Sequence, residues 1–180
     1  MSSRLERVLA DDYVDGLEAL DLAEIRARRA ECQEAEVGLS YARRIVQGRL
    51  DIIHSEIEHR TAGEGRSSTS DLVDRLKEGE MLGDHARPAG FGRLPTLLEP
   101  GPDSDEYLAE ADEVAHQDSL ASLPDLSDDD VRELSDRLGE IERKLSDRRR
   151  LVFDRIDAFQ AEIVRRYKSG AASADSLLAN

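Results

Sequence analysis

LAEIRARRAECQEAEVGLSYARRIVQGRLDIIHSEIEHR, residues 22–60, is the stretch that decides the fold. Its positions Leu22, Ile25, Arg29, Cys32, Glu36, Leu39, Arg43, Val46, Leu50, Ile53 and Ile57 step alternately by three and four. That is the seven-residue repeat of a long helix whose seam packs on another helix. The two ends of the seam are apolar, and its middle carries Glu36 and Arg43.

A second stretch of the same kind begins at Ser127, a good helix cap followed by Asp128, Asp129 and Asp130, whose carboxylates suit the positive end of the helix dipole. Val131, Leu134, Leu138, Ile141, Leu145, Val152, Ile156, Phe159, Ile163 and Tyr167 form its seam, interrupted by Arg149, and Lys168 with Gly170 marks the stop. A chain of 180 residues that is 36% charged, 4% aromatic and without Trp cannot build a large globular core. It can bury a narrow apolar seam between two long helices. The expected fold is therefore all-α, an antiparallel two-helix coiled-coil hairpin with short accessory helices and flexible connectors.

The expected organisation is an acidic N-terminal arm over 1–20, a first helix over 21–61, a linker with short helices over 62–126, a second helix over 127–169 and a tail over 170–180. The arm has an apolar patch around Tyr13, Val14, Leu17 and Leu20 that can dock on the hairpin or on a partner. Within the linker, 61–70 is rich in Gly and Ser, a short helix is expected over 71–81, and Pro and Gly recur too densely over 87–102 for any regular element. Another short acidic helix is expected over 104–115. Leu94, Leu97, Leu98, Tyr107 and Leu108 are the connector residues available to cover the hairpin or meet a partner.

The net charge of −15 argues against a polyanionic ligand, but its distribution changes the inference. Residues 21–60 hold seven basic and eight acidic side chains, and residues 131–168 hold eleven and eight, so the acidity lies outside the helices. Arg43, Arg44, Arg49, Arg148, Arg149 and Arg150 are available to an anion, while the acidic remainder favours a basic protein partner and disfavours DNA. The single cysteine, Cys32, falls on the seam as a small buried hydrophobe, and no apolar run reaches the length of a signal-peptide core or membrane span. A cytoplasmic protein without membrane association is expected. His54, His59, His85 and His116 have no metal-ligand spacing, and no Gly-rich phosphate loop opens a helix, so neither a metal nor an enzyme is expected.

Superimposed on the seams is a repeat. Glu36, Ser40, Arg43, Gln47 and Asp51 recur at identical spacing as Glu142, Ser146, Arg149, Phe153 and Asp157. Those offsets fall within an arc of roughly 80° along about 22 Å of helix, so each set forms one polar stripe. Antiparallel pairing about midpoints near residues 41 and 148 would bring the stripes into one layer, with Glu36 roughly level with Asp157 and Asp51 roughly level with Glu142. Each helix would then place an Arg on its seam, where a buried unpaired charge costs several kcal/mol. One answer is cross-helix charge pairing that fixes register, as in a structural coiled-coil adaptor. The repeated Ser, for which a charge network has no need, favours a shared ligand instead. Guanine fits best: Arg offers a fork to O6 and N7, a carboxylate accepts from N1–H and N2–H, and Ser and Gln supplement these contacts.

The two motifs resemble the cyclic-di-GMP-binding signature of the RsiG family, anti-sigma factors of sporulating actinomycetes. That resemblance covers both long helices. It implies a partly intercalated cyclic-di-GMP dimer held between the helices, and the presence of two motifs on one chain points to a monomer that completes the ligand site before it meets sigma. It also implies that the loaded protein sequesters a WhiG sporulation sigma factor, of the flagellar type, from core RNA polymerase. By the same resemblance Arg43, Arg149, Asp51 and Asp157 read guanine, and Glu36, Ser40, Gln47, Glu142 and Ser146 assist. Phe153 departs from the pattern by losing an amide and receives no hydrogen-bonding role.

Overall fold

The computed structural model describes residues 3–63 and 100–170. The helix expected over 71–81, most of the Pro- and Gly-rich stretch with Leu94, Leu97 and Leu98, and the tail with Leu177 and Leu178 lie outside the described residues. The fold is all-α: α1 (Arg4–Leu9), a 3-10 turn (Asp11–Val14), α2 (Leu22–Thr61), α3 (Ser104–Val114), α4 (Gln117–Ala121), a second 3-10 turn (Leu123–Asp125) and α5 (Asp128–Lys168). No helix among the described residues is long and apolar enough to cross a membrane.

Local chemistry sets the helix ends. The Asp21 carboxylate accepts from the Glu24 amide at 2.7 Å and so caps α2. Ser127 and Asp130 form a reciprocal cap on α5, with the Asp130 amide donating to Ser127 Oγ at 3.1 Å and the Ser127 amide to the Asp130 carboxylate at 3.3 Å. Gly63 and Gly170, at φ 79° and 74°, end the two long helices in the left-handed conformation that a side chain would disfavour.

The long helices α2 and α5 pack against each other and run antiparallel, since the α5 partner falls in number as the α2 residue rises. Arg26 donates to Tyr167 Oη, Arg29 to Gln160, Arg43 to Glu142 and Arg60 to Asp128. One position per heptad is fully buried on each helix: Ile25, Cys32, Leu39, Val46 and Ile53 on α2, and Val131, Leu138, Leu145, Val152 and Phe159 on α5. Burial pushes the Cys32 thiol up to about 11, which keeps it protonated and unreactive.

The second core position differs from the expected one. Ala35, Ala42 and Glu56 are buried on α2, whereas Arg29, Glu36, Arg43, Leu50 and Ile57 are only half-buried. The cause is that connecting segments cover one flank of the helix pair and rotate the core toward themselves. The chain divides into two compact units, each of which does this with its own segment: Met1–Ser40 with Gly101–Asp103 and Ser146–Asn180, and Tyr41–Pro100 with Ser104–Leu145.

In the first unit the N-terminal arm supplies the cover. Leu5 and Val8 are buried, and the Tyr13 ring meets the Phe159 ring edge-on at 5.9 Å. Tyr13 Oη donates to Glu31 at 2.6 Å; burial, and then this hydrogen bond, push the phenol pKa up and keep it a donor. Arg155 donates to the Leu9 carbonyl at 2.9 Å and Arg166 to the Leu17 carbonyl at 2.8 Å. Gly101 lies directly on α2, where an added Cβ would come within 2.7 Å of the Gly38 amide nitrogen.

In the second unit α3 supplies the cover through buried Tyr107, Leu108 and Ala111. Arg49, proposed above as available to an anion, faces α3 instead and is paired with Asp112 at a side-chain exposure of 12%. Arg60 closes the unit: it binds Glu56 at 2.6 Å, Asp128 at 2.8 Å, and the carbonyls of Leu123 and Leu126 at 2.7 and 3.1 Å.

Two outcomes test this packing. Gly101→Ala is expected to destabilise the protein by about 1–3 kcal/mol in urea unfolding, because the helix backbone cannot give way to the methyl group. The Glu162 carboxyl is held at about 2 by hydrogen bonds from Arg165 and then Arg166, below its ordinary value of 4.5. Its contribution is therefore complete above pH 4.5 and is lost as pH falls through about 2. Glu162→Gln should be less stable than the parent at pH 7, with the two stabilities converging toward pH 2.

Candidate functional site

In each unit, residues of the two polar motifs come together across its two helices, on the flank away from its own covering segment. In the first unit Arg149 Nε donates to Glu36 Oε1 at 3.0 Å and to Ser40 Oγ at 2.7 Å, and Ser40 Oγ donates to the same carboxylate oxygen at 2.6 Å. In the second unit Arg43 Nε donates to Glu142 Oε1 at 2.9 Å, joined by the Gln47 amide at 3.1 Å. Each cluster therefore takes its Glu from one motif and its Arg from the other.

Geometry explains why the clusters form at this position on the helices. Glu36 and Arg43 follow the buried Ala35 and Ala42 by one residue, about 100° around α2, and so stand at the margin of the core. Ser40 follows Glu36 by one turn and shares its face. The expectation of Arg side chains buried on the seam is thus corrected, since Arg43 and Arg149 are about one-third exposed and each is paired with a glutamate. The expected levelling of Glu36 with Asp157 and of Asp51 with Glu142 is replaced by Glu36 reaching Arg149 and Glu142 reaching Arg43.

Ser146 is half-buried on α5 in the first unit. Asp51 stands one turn beyond Gln47, Asp157 one turn beyond Phe153, and both carboxylates are exposed. Phe153 is an exposed aromatic rather than a core residue, and the Arg149 guanidinium carbon lies 4.6 Å from its ring centroid. Arg44, Arg148 and Arg150 are exposed on the long helices and belong to neither cluster.

The clusters contrast with the charges that hold the fold. Glu56 is fully buried and Arg60 nearly so, with the guanidinium engaged on four acceptors. The Glu36 and Glu142 side chains keep 19% and 18% exposure, so an incoming group can exchange for their arginine bonds without opening the core. Chemically each cluster offers an arginine donor beside a carboxylate acceptor on a half-open surface. That set is chemically complementary to a flat heterocycle with acceptors on one edge and N–H donors on another.

Fold and site together define an all-α protein of two long antiparallel helices that carries a duplicated polar motif. A family model described as RsiG-like matches residues 11–80 and 117–180, which include both motifs. The chain belongs to that family. A search of curated proteins found no match.

The two kinds of charge separate in a stability experiment. Arg43→Ala and Arg149→Ala are each expected to change unfolding stability by no more than about 1 kcal/mol, as for other part-exposed pairs. Arg60→Ala, which strands the buried Glu56 carboxylate, is expected to cost about 3–5 kcal/mol in the same urea titration.

Proposed function

We propose that this protein is a non-catalytic anti-sigma factor that binds cyclic-di-GMP at the two polar clusters and, when loaded, holds a WhiG-type sigma factor away from core RNA polymerase. The observation that carries this reading is the duplication: each unit sets an arginine beside a glutamate from the opposite helix, with a serine or an amide next to them. Each cluster is of a chemistry that suits a guanine base of cyclic-di-GMP, so each unit offers a half-site for a nucleotide of its own. Arg43 and Arg149 supply donors to O6 and N7. Glu142 and Glu36, with Asp51 and Asp157 one turn away, accept from N1–H and N2–H. Ser40, Ser146 and Gln47 fix these groups or supplement them, and the RsiG-like match over both helices supports the assignment.

The control this allows is linkage. A ligand that binds α2 and α5 together favours the ordered helix pair, and sigma factor that prefers the same state binds more tightly in its presence. Nothing is turned over. High nucleotide keeps sigma sequestered, and falling nucleotide releases it to transcribe sporulation genes. A second reading, in which the clusters only set helix register in a structural adaptor, draws on the Arg–Glu pairs being satisfied within the protein itself.

Calorimetric titration of the full chain with cyclic-di-GMP, alone and with a WhiG-type sigma factor, separates the two. Saturable binding of more than one nucleotide per chain, tightened by sigma, is expected. It should be lost in the Arg43→Ala, Arg149→Ala double variant. Absence of heat under both conditions establishes the adaptor instead, whereas unchanged nucleotide-dependent sigma binding by the double variant overturns the assignment of Arg43 and Arg149 to the site.

A further inference from the structure

The two motifs differ at one position, and the difference has a physical consequence. In the second unit Gln47 donates to Glu142 and adds a third member to the Arg–Glu pair. The corresponding place in the first unit is taken by Phe153, which can neither donate nor accept. The carboxylate there is served by Ser40 and by Arg149. Phe153 is nevertheless not withdrawn into the core. It keeps 38% of its surface exposed on the open flank, while Val152, its neighbour in sequence, is fully buried.

An exposed ring with a guanidinium 4.6 Å from its centroid orders both groups. The ring quadrupole attracts the cation, and the hydrogen bonds Arg149 makes run through Nε to Glu36 and Ser40, so the side chain is held at two points. The terminal guanidinium nitrogens take no part in those bonds and remain the atoms that can fork onto a base. The uncovered surface of the ring is apolar, and a planar base is the shape that buries it.

We propose that Phe153 is a stacking surface for one purine base of the ligand and that it makes the first-unit half-site the tighter of the two. This inference rests on the nucleotide-binding reading above and adds to it an inequality between half-sites that each pair an arginine with a glutamate. Loading is ordered as a result: the half-site of Glu36, Ser40, Arg149 and Phe153 fills first, and that of Arg43, Gln47 and Glu142 fills second.

The test is calorimetric titration of the full chain with cyclic-di-GMP, comparing the parent with Phe153→Ala and Phe153→Gln, all three checked for unchanged helicity. Stacking of a base on an aromatic ring supports a loss of about 10-fold in one binding step for both variants, with the other step retained. Because the glutamine variant restores the amide present at Gln47, it binds more tightly than the parent if hydrogen bonding is what that position contributes. Unchanged or tighter binding by either variant overturns the proposal. Since the chain has no Trp, Phe153→Trp places a single indole at the site. Its emission should be quenched by a stacked guanine within the first step, and binding without quenching overturns the assignment. A parent chain that binds no cyclic-di-GMP overturns the underlying reading, whereas binding that is indifferent to position 153 overturns this inference alone.

Discussion

The structure depends on one fully buried side chain per heptad on each long helix, Ile25, Cys32, Leu39, Val46 and Ile53 on α2 facing Val131, Leu138, Leu145, Val152 and Phe159 on α5. A two-helix seam of this width leaves both flanks of each helix open to water and is too narrow to hold a chain of 180 residues together. Each unit solves this by laying a short segment along one flank. The N-terminal arm does so with Leu5, Val8 and Tyr13, and α3 does so with Tyr107, Leu108 and Ala111. The cover is one-sided, and that asymmetry produces the site. The covered flank completes the core, and the uncovered flank keeps half-exposed charges that a ligand can reach.

Two classes of ion pair follow from this division. On the covered side, Arg155 and Arg166 are spent on backbone carbonyls of the arm, and Arg60 on the turn that leads into α5. These guanidinium groups replace water for backbone oxygens that would otherwise be buried without a donor. On the uncovered side, Arg43 and Arg149 meet the side chains of Glu142 and Glu36. Pairs of that kind add little stability in high dielectric. Their repetition at matched spacing on both helices is the feature on which the proposed recognition role draws. Phe153, an exposed aromatic beside such a pair, fits the same division.

Much of the architecture was legible in the sequence because helix periodicity and capping are local properties. The alternation of three and four from Leu22 to Ile57 marks α2, and Ser127, Asp130 and Gly170 mark the bounds of α5 without reference to any other part of the chain. The equal spacing of the two polar motifs was visible in the same way. The rotation of the core by about one residue, from Glu36 and Arg43 to Ala35 and Ala42, was not. Alanine carries little hydrophobic weight in a pattern and becomes a core residue only when something lies upon it.

The sequence by itself therefore determined the two long helices, their antiparallel pairing, the fully buried position of each heptad and the existence of a duplicated polar stripe. Only the tertiary structure decided which flank of that pair is closed, that Arg49 belongs to the closed flank with Asp112, and that Glu36 meets Arg149 while Glu142 meets Arg43. The physical reason is range. Periodicity is set by neighbours within a turn or two of helix, whereas the choice of flank depends on where Tyr13 and Tyr107, distant in sequence from one another, come to pack.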